Sequence, residues 1–184
     1  RMIRQGIFVV FGLAQAFTPG ANQIPISSLK TDATLAIALA PGAAASDDAI
    51  WIPDRTAGTV VRIASKDNSI SAPIAVGATP CASLAVAFTS VWVPSCGDRL
   101  INRITPSDLK VSAKVAIAVA DPDGQITAGV GSVWVVTDRK GVVARLDPDT
   151  NAAVAEVYVA AGAASVVFAG DALWVTSGAR NQLT

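Results

Sequence analysis

Three sets of residues in this chain have types and spacings suited to chemistry. Four tryptophans, Trp51, Trp92, Trp134 and Trp174, stand 41, 42 and 40 residues apart, and the first three are each followed eleven positions on by an arginine: Arg62, Arg103 and Arg145. A guanidinium over an indole makes a cation–π pair of about 0.5–2 kcal/mol, and the same pair left open is a cage for a cationic ligand. Cys81 and Cys96 are the only cysteines. They are either a disulfide or the source of a thiol nucleophile. Acid–base dipeptides follow the tryptophan segments: Asp54-Arg55, Asp98-Arg99 and Asp138-Arg139, with Arg180 alone after the fourth. A rim of such residues suits a polar small molecule, a peptide or a cation. Its bland counterpart is a set of solvated turns with ion pairs of little worth.

Other chemistry is excluded by what is absent. The chain has no histidine. It therefore cannot hold a Ser-His-Asp triad, a Cys-His pair or a His-ligated metal. Asp121 and Asp123 supply too few oxygens for calcium, which takes roughly 6–8. No glycine-rich loop leads from a strand into a helix, so nucleotide binding has no support. No catalytic residue, metal ligand or cofactor is assigned. Fourteen basic residues balance fourteen acidic ones over 184 residues. No global field recruits nucleic acid or an anionic membrane. A 52% hydrophobic and 15% charged composition builds a core and is too poor in charge for disorder.

The elements that position these residues are short strands. Each tryptophan sits in one local frame, as in Ser90-Val91-Trp92-Val93 and Ser132-Val133-Trp134-Val135. In the second repeat, alternating segments over Ser83–Phe88, Val91–Pro94, Leu100–Ile104 and Lys110–Ile117 read as four strands. The connectors are rich in Asp, Asn, Pro, Gly and Ser, as in Asp147-Pro148-Asp149-Thr150-Asn151. Four strands in every ~40–45 residues is the arithmetic of a β-propeller blade. The fold class is all-β, a propeller of four-stranded antiparallel blades, with about four blades present. A β-sandwich is the competing reading, but sandwiches do not keep a motif in register over ~40 residues. Within a blade, a hairpin turning near Thr56-Ala57 sets Trp51 opposite Arg62 on one face. Recurrence in every blade favours a structural staple over a site. A turn at Phe88-Thr89 likewise sets Cys81 opposite Cys96, within reach of a disulfide.

The chain divides into a leader, a linker and the repeats. Arg1 and Arg4 flank a short apolar run, Gly6 to Ala14, followed by Ala14-Gln15-Ala16. This pattern reads as a secretory signal peptide over 1–16, too short to span a bilayer, and its cleavage leaves no integral membrane span. Residues 17–33 read as a linker and 34–184 as the repeats, with the last blade incomplete. Thr34–Leu39 reads as an outermost strand that completes the blade begun at the C-terminus. A fourth arginine of the series would fall one position beyond Thr184, so a natural stop inside the motif is unexpected and the chain reads as an N-terminal fragment.

The repeated Val-Trp-Val frame, the Arg-Ile or Arg-Leu eleven residues on, and the Asp147–Asn151 turn resemble YVTN-type propellers. They also resemble the streptogramin-lyase-like (virginiamycin B lyase-like) propellers. The resemblance covers roughly residues 34 to 184. It implies a seven-bladed ring and, for many YVTN-type members, an extracytoplasmic location. The lyases resembled use His and Glu of late blades with a divalent metal. No residue here receives that role, since there is no histidine and Glu156 lies in no matching motif. The expected function is an exported, non-catalytic propeller, periplasmic or secreted, binding an unidentified protein or small molecule on its loop face. The alternative is a lyase or lactonase-like enzyme whose catalytic residues lie in a C-terminal part outside these 184 residues.

Overall fold

The structure is a computed structural model and describes residues 26–28, 30–37, 42–120 and 124–184. The expected leader, most of the linker and the Asp121-Pro122-Asp123 connector lie outside the described residues. The chain separates into two units, Arg1–Thr34 and Leu35–Thr184. In the first, Ile26–Ser28 form a single turn of 3-10 helix. The second is all β.

Its strands form four antiparallel sheets in chain order. The first holds β1 (Ala44–Ala45), β2 (Ala49–Asp54), β3 (Thr59–Ala64) and β4 (Ile74–Ala75). The second holds β5 (Ala85–Ala87), β6 (Ser90–Ser95), β7 (Leu100–Thr105) and β8 (Lys110–Ala116). The third holds β9 (Ile126–Gly129), β10 (Ser132–Asp138), β11 (Val142–Asp147) and β12 (Ala152–Tyr158). The fourth holds β13 (Ala163–Ala169), β14 (Ala172–Ser177) and β15 (Gln182–Leu183). Each sheet is an up-and-down meander, as short alternating segments joined by tight turns require. The sheets are the four blades of a β-propeller.

Turn geometry follows from turn chemistry. The hairpins into the tryptophan strands turn at Phe88-Thr89, Val130-Gly131 and Gly170-Asp171, and all six residues have positive φ. Positive φ at both central positions gives the turn whose twist matches the strands. Gly131 and Gly170 adopt it freely, whereas Val130, at φ 46°, is β-branched and strained. Asn68 and Asn151 take the left-handed position between the third and fourth strands of the first and third blades.

Packing between blades uses the two faces of each sheet. Trp51, Val60 and Ile74 of the first blade pack on Leu84, Val91, Val93 and Ile104 of the second. Trp92 and Ile101 of the second pack on Ile126, Val133, Val135 and Leu146 of the third. Trp134, Val136 and Val143 of the third pack on Val166, Leu173 and Val175 of the fourth. One face of a blade thus presents the tryptophan, and the facing blade presents a branched aliphatic surface. Trp51 and Trp92 are fully buried.

One expectation about the ends needs correction. Thr34–Ile37 form no strand, and Ala38 and Leu39 lie outside the described residues. Among the described residues the fourth sheet has three strands and no N-terminal partner. The first blade instead has its own inner strand, β1, paired through Ala44↔Trp51 and Ala45↔Ile50. Two alanines carry no alternation, so this strand leaves no trace in the hydrophobic pattern.

Candidate functional site

The Trp–Arg pairs form as the spacing requires. Trp51 pairs with Arg62, Trp92 with Arg103 and Trp134 with Arg145 across the second and third strands. The guanidinium carbons lie 5.9, 4.9 and 5.7 Å from the ring centroids. Each of the last three tryptophans donates its Nε1–H to the carbonyl five residues back: Trp92 to Ala87 at 3.2 Å, Trp134 to Gly129 at 3.2 Å and Trp174 to Ala169 at 3.0 Å. The arginines are anchored too. Arg103 Nε donates to Ser90 Oγ and Arg145 Nε to Ser132 Oγ, both at 2.8 Å. Arg103 Nη1 reaches the third blade, donating to the Pro148 carbonyl at 2.5 Å and Asn151 Oδ1 at 3.0 Å. A buried indole covered by a guanidinium already engaged with the next blade is closed to a ligand. Arg103 thereby ties the second blade to the third, while Arg62 bonds Asp48 and Arg145 bonds Ser132 within their own blades.

The first blade shows what the serine does. Ala49 stands where Ser90 and Ser132 stand in the others, and Arg62 Nε is buried without a partner. Arg62 turns its Nη2 to Asp48 Oδ2 at 2.6 Å instead. The Ser46 hydroxyl, and then Arg62, hold the Asp48 carboxyl below the ordinary aspartate value of 3.8.

The cysteines form a disulfide with their Cα atoms 5.3 Å apart. The register beneath it differs from the expected direct opposition. Ala85 faces Trp92, but Pro80 bridges Ser95. Five positions separate Pro80 from Ala85 on one strand and three separate Trp92 from Ser95 on the other, so two extra residues bulge out around Ala82-Ser83. Cys81 N–H donates to the Pro94 carbonyl at 2.8 Å and Cys96 N–H to the Thr79 carbonyl at 3.0 Å. The sulfurs therefore join diagonally. The bond ties the connector between the first two blades to the end of β6.

The loops after the tryptophan strands share a face with the connectors between blades. Asp98 Oδ2 accepts the N–H of Ala78, in the connector from the first blade, at 2.7 Å, and the Arg139 carbonyl accepts the N–H of Gly162, in the connector from the third, at 2.6 Å. The aspartates are largely occupied in building this face. Asp54 Oδ1 accepts the N–H groups of Thr56 and Ala57 at 2.9 Å. Asp138 Oδ1 accepts the Lys140 N–H at 2.8 Å, and Asp98 Oδ2 also accepts the Ser95 hydroxyl at 3.2 Å. Such side-chain-to-backbone bonds define Asx turns. In the neighbouring hairpin the N–H groups of Thr150 and Asp149 hold the Asp147 carboxyl below 3.8.

The arginines differ from one another in place. Arg55 lines a groove with Thr56, Ala57, Gly58, Gly77 and Ala78. Arg99, at φ 55°, and Arg139 are exposed, as is Arg180 on the fourth blade. The structure brings Arg99 and Asp138 together across two blades. They line a groove of about 310 Å³ with Glu156, over apolar walls from Ile117 and Val142. Among the described residues, Arg99 makes no ion pair with either carboxylate. Glu156 accepts the Tyr158 hydroxyl at Oε2, 3.2 Å away. Sequence reasoning passed over Glu156 because it stands in a strand, β12, rather than in a turn. Its being the lone glutamate was the available signal.

Among the described residues no three His, Cys, Asp or Glu side chains gather as ligands. No helix among the described residues is long and apolar enough to cross a membrane.

No protein-family model and no curated protein matches this chain. Solved structures do match its fold. Hydrazine synthase from Kuenenia stuttgartiensis superposes with a TM-score of 0.65 at 15% identity, over 85% of this chain and 46% of that one. A streptogramin B lyase gives 0.63 at 17% identity, over 77% and 49%. A catalytically inactive virginiamycin B lyase from Staphylococcus aureus, crystallised with quinupristin, gives 0.61 at 19% identity, over 77% and 50%. This chain is similar to them in fold, a β-propeller. It spans about half the length of the chains it matches.

Proposed function

We propose that this chain is a non-catalytic binding propeller, exported from the cytoplasm, that takes a small molecule or a protein segment on the face carrying Arg55, Arg99, Arg139 and Arg180. One observation carries the reading. The groove between the second and third blades offers a free guanidinium, two carboxylates and apolar walls, lined by Arg99, Asp138, Glu156, Ile117 and Val142. A few convergent polar groups over an apolar floor are what a ligand site needs. Opposite charges held apart rather than paired favour a zwitterion, such as a peptide presenting a carboxylate to Arg99 and an amine to Glu156. The absence of any histidine supports binding over catalysis. The disulfide supports export, since such bonds persist in oxidising compartments.

Isothermal titration with a panel of short zwitterionic peptides tests the proposal. Binding in the millimolar range or tighter, weakened at least about tenfold by Arg99→Ala, is expected; such a loss is ~1.4 kcal/mol. Binding unaltered by Arg99→Ala and by Glu156→Gln would place the site elsewhere.

A further inference from the structure

The first two blades carry the same arginine on the same tryptophan, but only the first supplies it with an acid. Arg62 Nη2 bonds Asp48 Oδ2 at 2.6 Å, the one ion pair among the described residues. Asp48 stands three residues before Trp51. Three residues before Trp92 stands Thr89, whose side chain carries no charge. Arg103 of the second blade therefore lacks the anion its counterpart has.

Arg103 is nonetheless the more firmly held of the two. Its guanidinium carbon lies 4.9 Å from the Trp92 ring centroid, Nε donates to Ser90 Oγ, and Nη1 donates to the Pro148 carbonyl and Asn151 Oδ1 of the third blade. All three acceptors are neutral. Asp149, in the same turn as Pro148, makes no ion pair with Arg103, and Asp147 Oδ1 is taken by the N–H groups of Asp149 and Thr150. Nη2 has no acceptor among the described residues and is not buried. The indole beneath is closed, but one edge of a half-buried, uncompensated guanidinium stays open in a fixed orientation. That is a preorganised donor to an oxyanion.

Arg103 lines a groove of about 300 Å³ with Thr89, Thr105, Ser112 and Asn151, at the end of the blades away from the Arg99 loop. The Thr105 hydroxyl makes no hydrogen bond among the described residues, so its proton is available to a ligand. Thr89 Oγ1 donates to the Phe88 carbonyl at 2.7 Å and Ser112 Oγ to the Arg103 carbonyl at 3.2 Å, so these two offer lone pairs only. The groove thus combines donors for an oxyanion with acceptors for hydroxyl groups.

We propose that this groove is a second ligand site, for a sugar acid. Its carboxylate accepts from Arg103 Nη2 and the Thr105 hydroxyl, and its hydroxyls donate to Thr89 and Ser112. The ligand's carboxylate takes the part that Asp48 plays in the first blade. None of the loop-face arginines is involved, so the site stands apart from the zwitterion groove.

Isothermal titration of the full 184-residue chain with D-glucuronate, beside glucose, acetate and inorganic phosphate, tests this. Glucuronate should bind in the millimolar range, at least about tenfold more tightly than glucose, which lacks the carboxylate, and than acetate, which lacks the hydroxyls. Thr89→Asp places the first blade's acid beside Arg103 at an exposed position. It should weaken glucuronate binding at least about tenfold with a melting midpoint unchanged or raised. Thr105→Val, which removes the free donor, should weaken it about threefold or more. Absence of glucuronate binding overturns the proposal, and so does equal binding by wild type and a folded Thr89→Asp. Should Thr89→Asp fail to fold, unaltered glucuronate affinity in Thr105→Val counts against the site in its place. Glucose binding as tightly as glucuronate would remove the charge from the recognition, and acetate binding as tightly would remove the hydroxyls. Phosphate binding more tightly would assign the groove to a tetrahedral oxyanion. Each of these three results contradicts a sugar-acid site.

Discussion

Replacing Trp92 and Trp174 by alanine, one at a time, perturbs the same repeat position in two environments. Trp92 is fully buried, donates to the Ala87 carbonyl at 3.2 Å and lies 4.9 Å beneath the Arg103 guanidinium. Truncating a buried Trp costs about 3–5 kcal/mol through lost transfer energy and the cavity left behind. Loss of the cation–π pair and of a partner for the half-buried Ala87 carbonyl places Trp92→Ala toward the upper end. Trp174 keeps the equivalent bond, to Ala169 at 3.0 Å, but is 42% exposed. An open site leaves no enclosed cavity, so only the buried part of the ring counts, about 1–2 kcal/mol. For a chain of this length 1 kcal/mol shifts the melting midpoint by about 2–4 °C. Trp92→Ala should therefore fall by roughly 6–20 °C and Trp174→Ala by roughly 2–8 °C. The assay is thermal unfolding followed by circular dichroism, at a concentration where the protein sediments as a monomer. Equal losses, or a larger loss at Trp174, would refute the blade-packing account, in which burial by the next blade sets the value of each tryptophan.

Four further outcomes follow from the same contacts. Ala49→Ser should raise stability by about 0.5–1.5 kcal/mol in urea unfolding, because it gives the buried Arg62 Nε the acceptor that Ser90 and Ser132 give their arginines. Reducing the Cys81–Cys96 bond should lower stability by about 3 kcal/mol for a separation of 15 residues, checked by unfolding with and without reductant beside non-reduced peptide mapping. Val130→Gly should raise the melting midpoint by a few degrees, since the strain of a β-branched residue at φ 46° is of order 1–3 kcal/mol while glycine adopts that backbone freely. Asp48, Asp67 and Asp147 are each held below the ordinary value of 3.8 by hydrogen bonds in the fold. Their contribution is present above that unfolded value and lost as pH falls through the lower folded one; with no histidine to titrate, the melting midpoint should be level between about pH 5 and 8 and fall on the acid side of about 4.

The legible part of this molecule is what hydrophobic and turn periodicity encodes. A tryptophan kept in one frame fixed the strand that carries it, and the arginine eleven residues on fixed the hairpin register, because antiparallel pairing admits one partner. The cysteine pairing was legible too, although a bulge at Ala82-Ser83 that the pattern does not encode makes it diagonal. Two kinds of feature stayed hidden. The Ala44–Ala45 strand has too few residues to alternate, and Thr34–Ile37 alternates without pairing. The roles of Asp54, Asp98 and Asp138 depend on which backbone N–H approaches each carboxylate, as Ala78 does from twenty residues away. Glu156 reaches the groove only because β12 lies beside the loop holding Asp138, a neighbourhood that tertiary packing creates.

The central functional claim is that the loop face binds while the Trp–Arg pairs hold the blades, and a paired titration and melt of Arg99→Ala tests it most directly. Arg99 is exposed and makes no ion pair among the described residues, so its removal should leave stability within about 0.5 kcal/mol. The account predicts that wild-type protein binds a zwitterionic peptide at millimolar affinity or better, and that Arg99→Ala weakens this at least about tenfold with an unchanged melt. A panel with no binder, or a variant that binds as wild type does, would contradict the account.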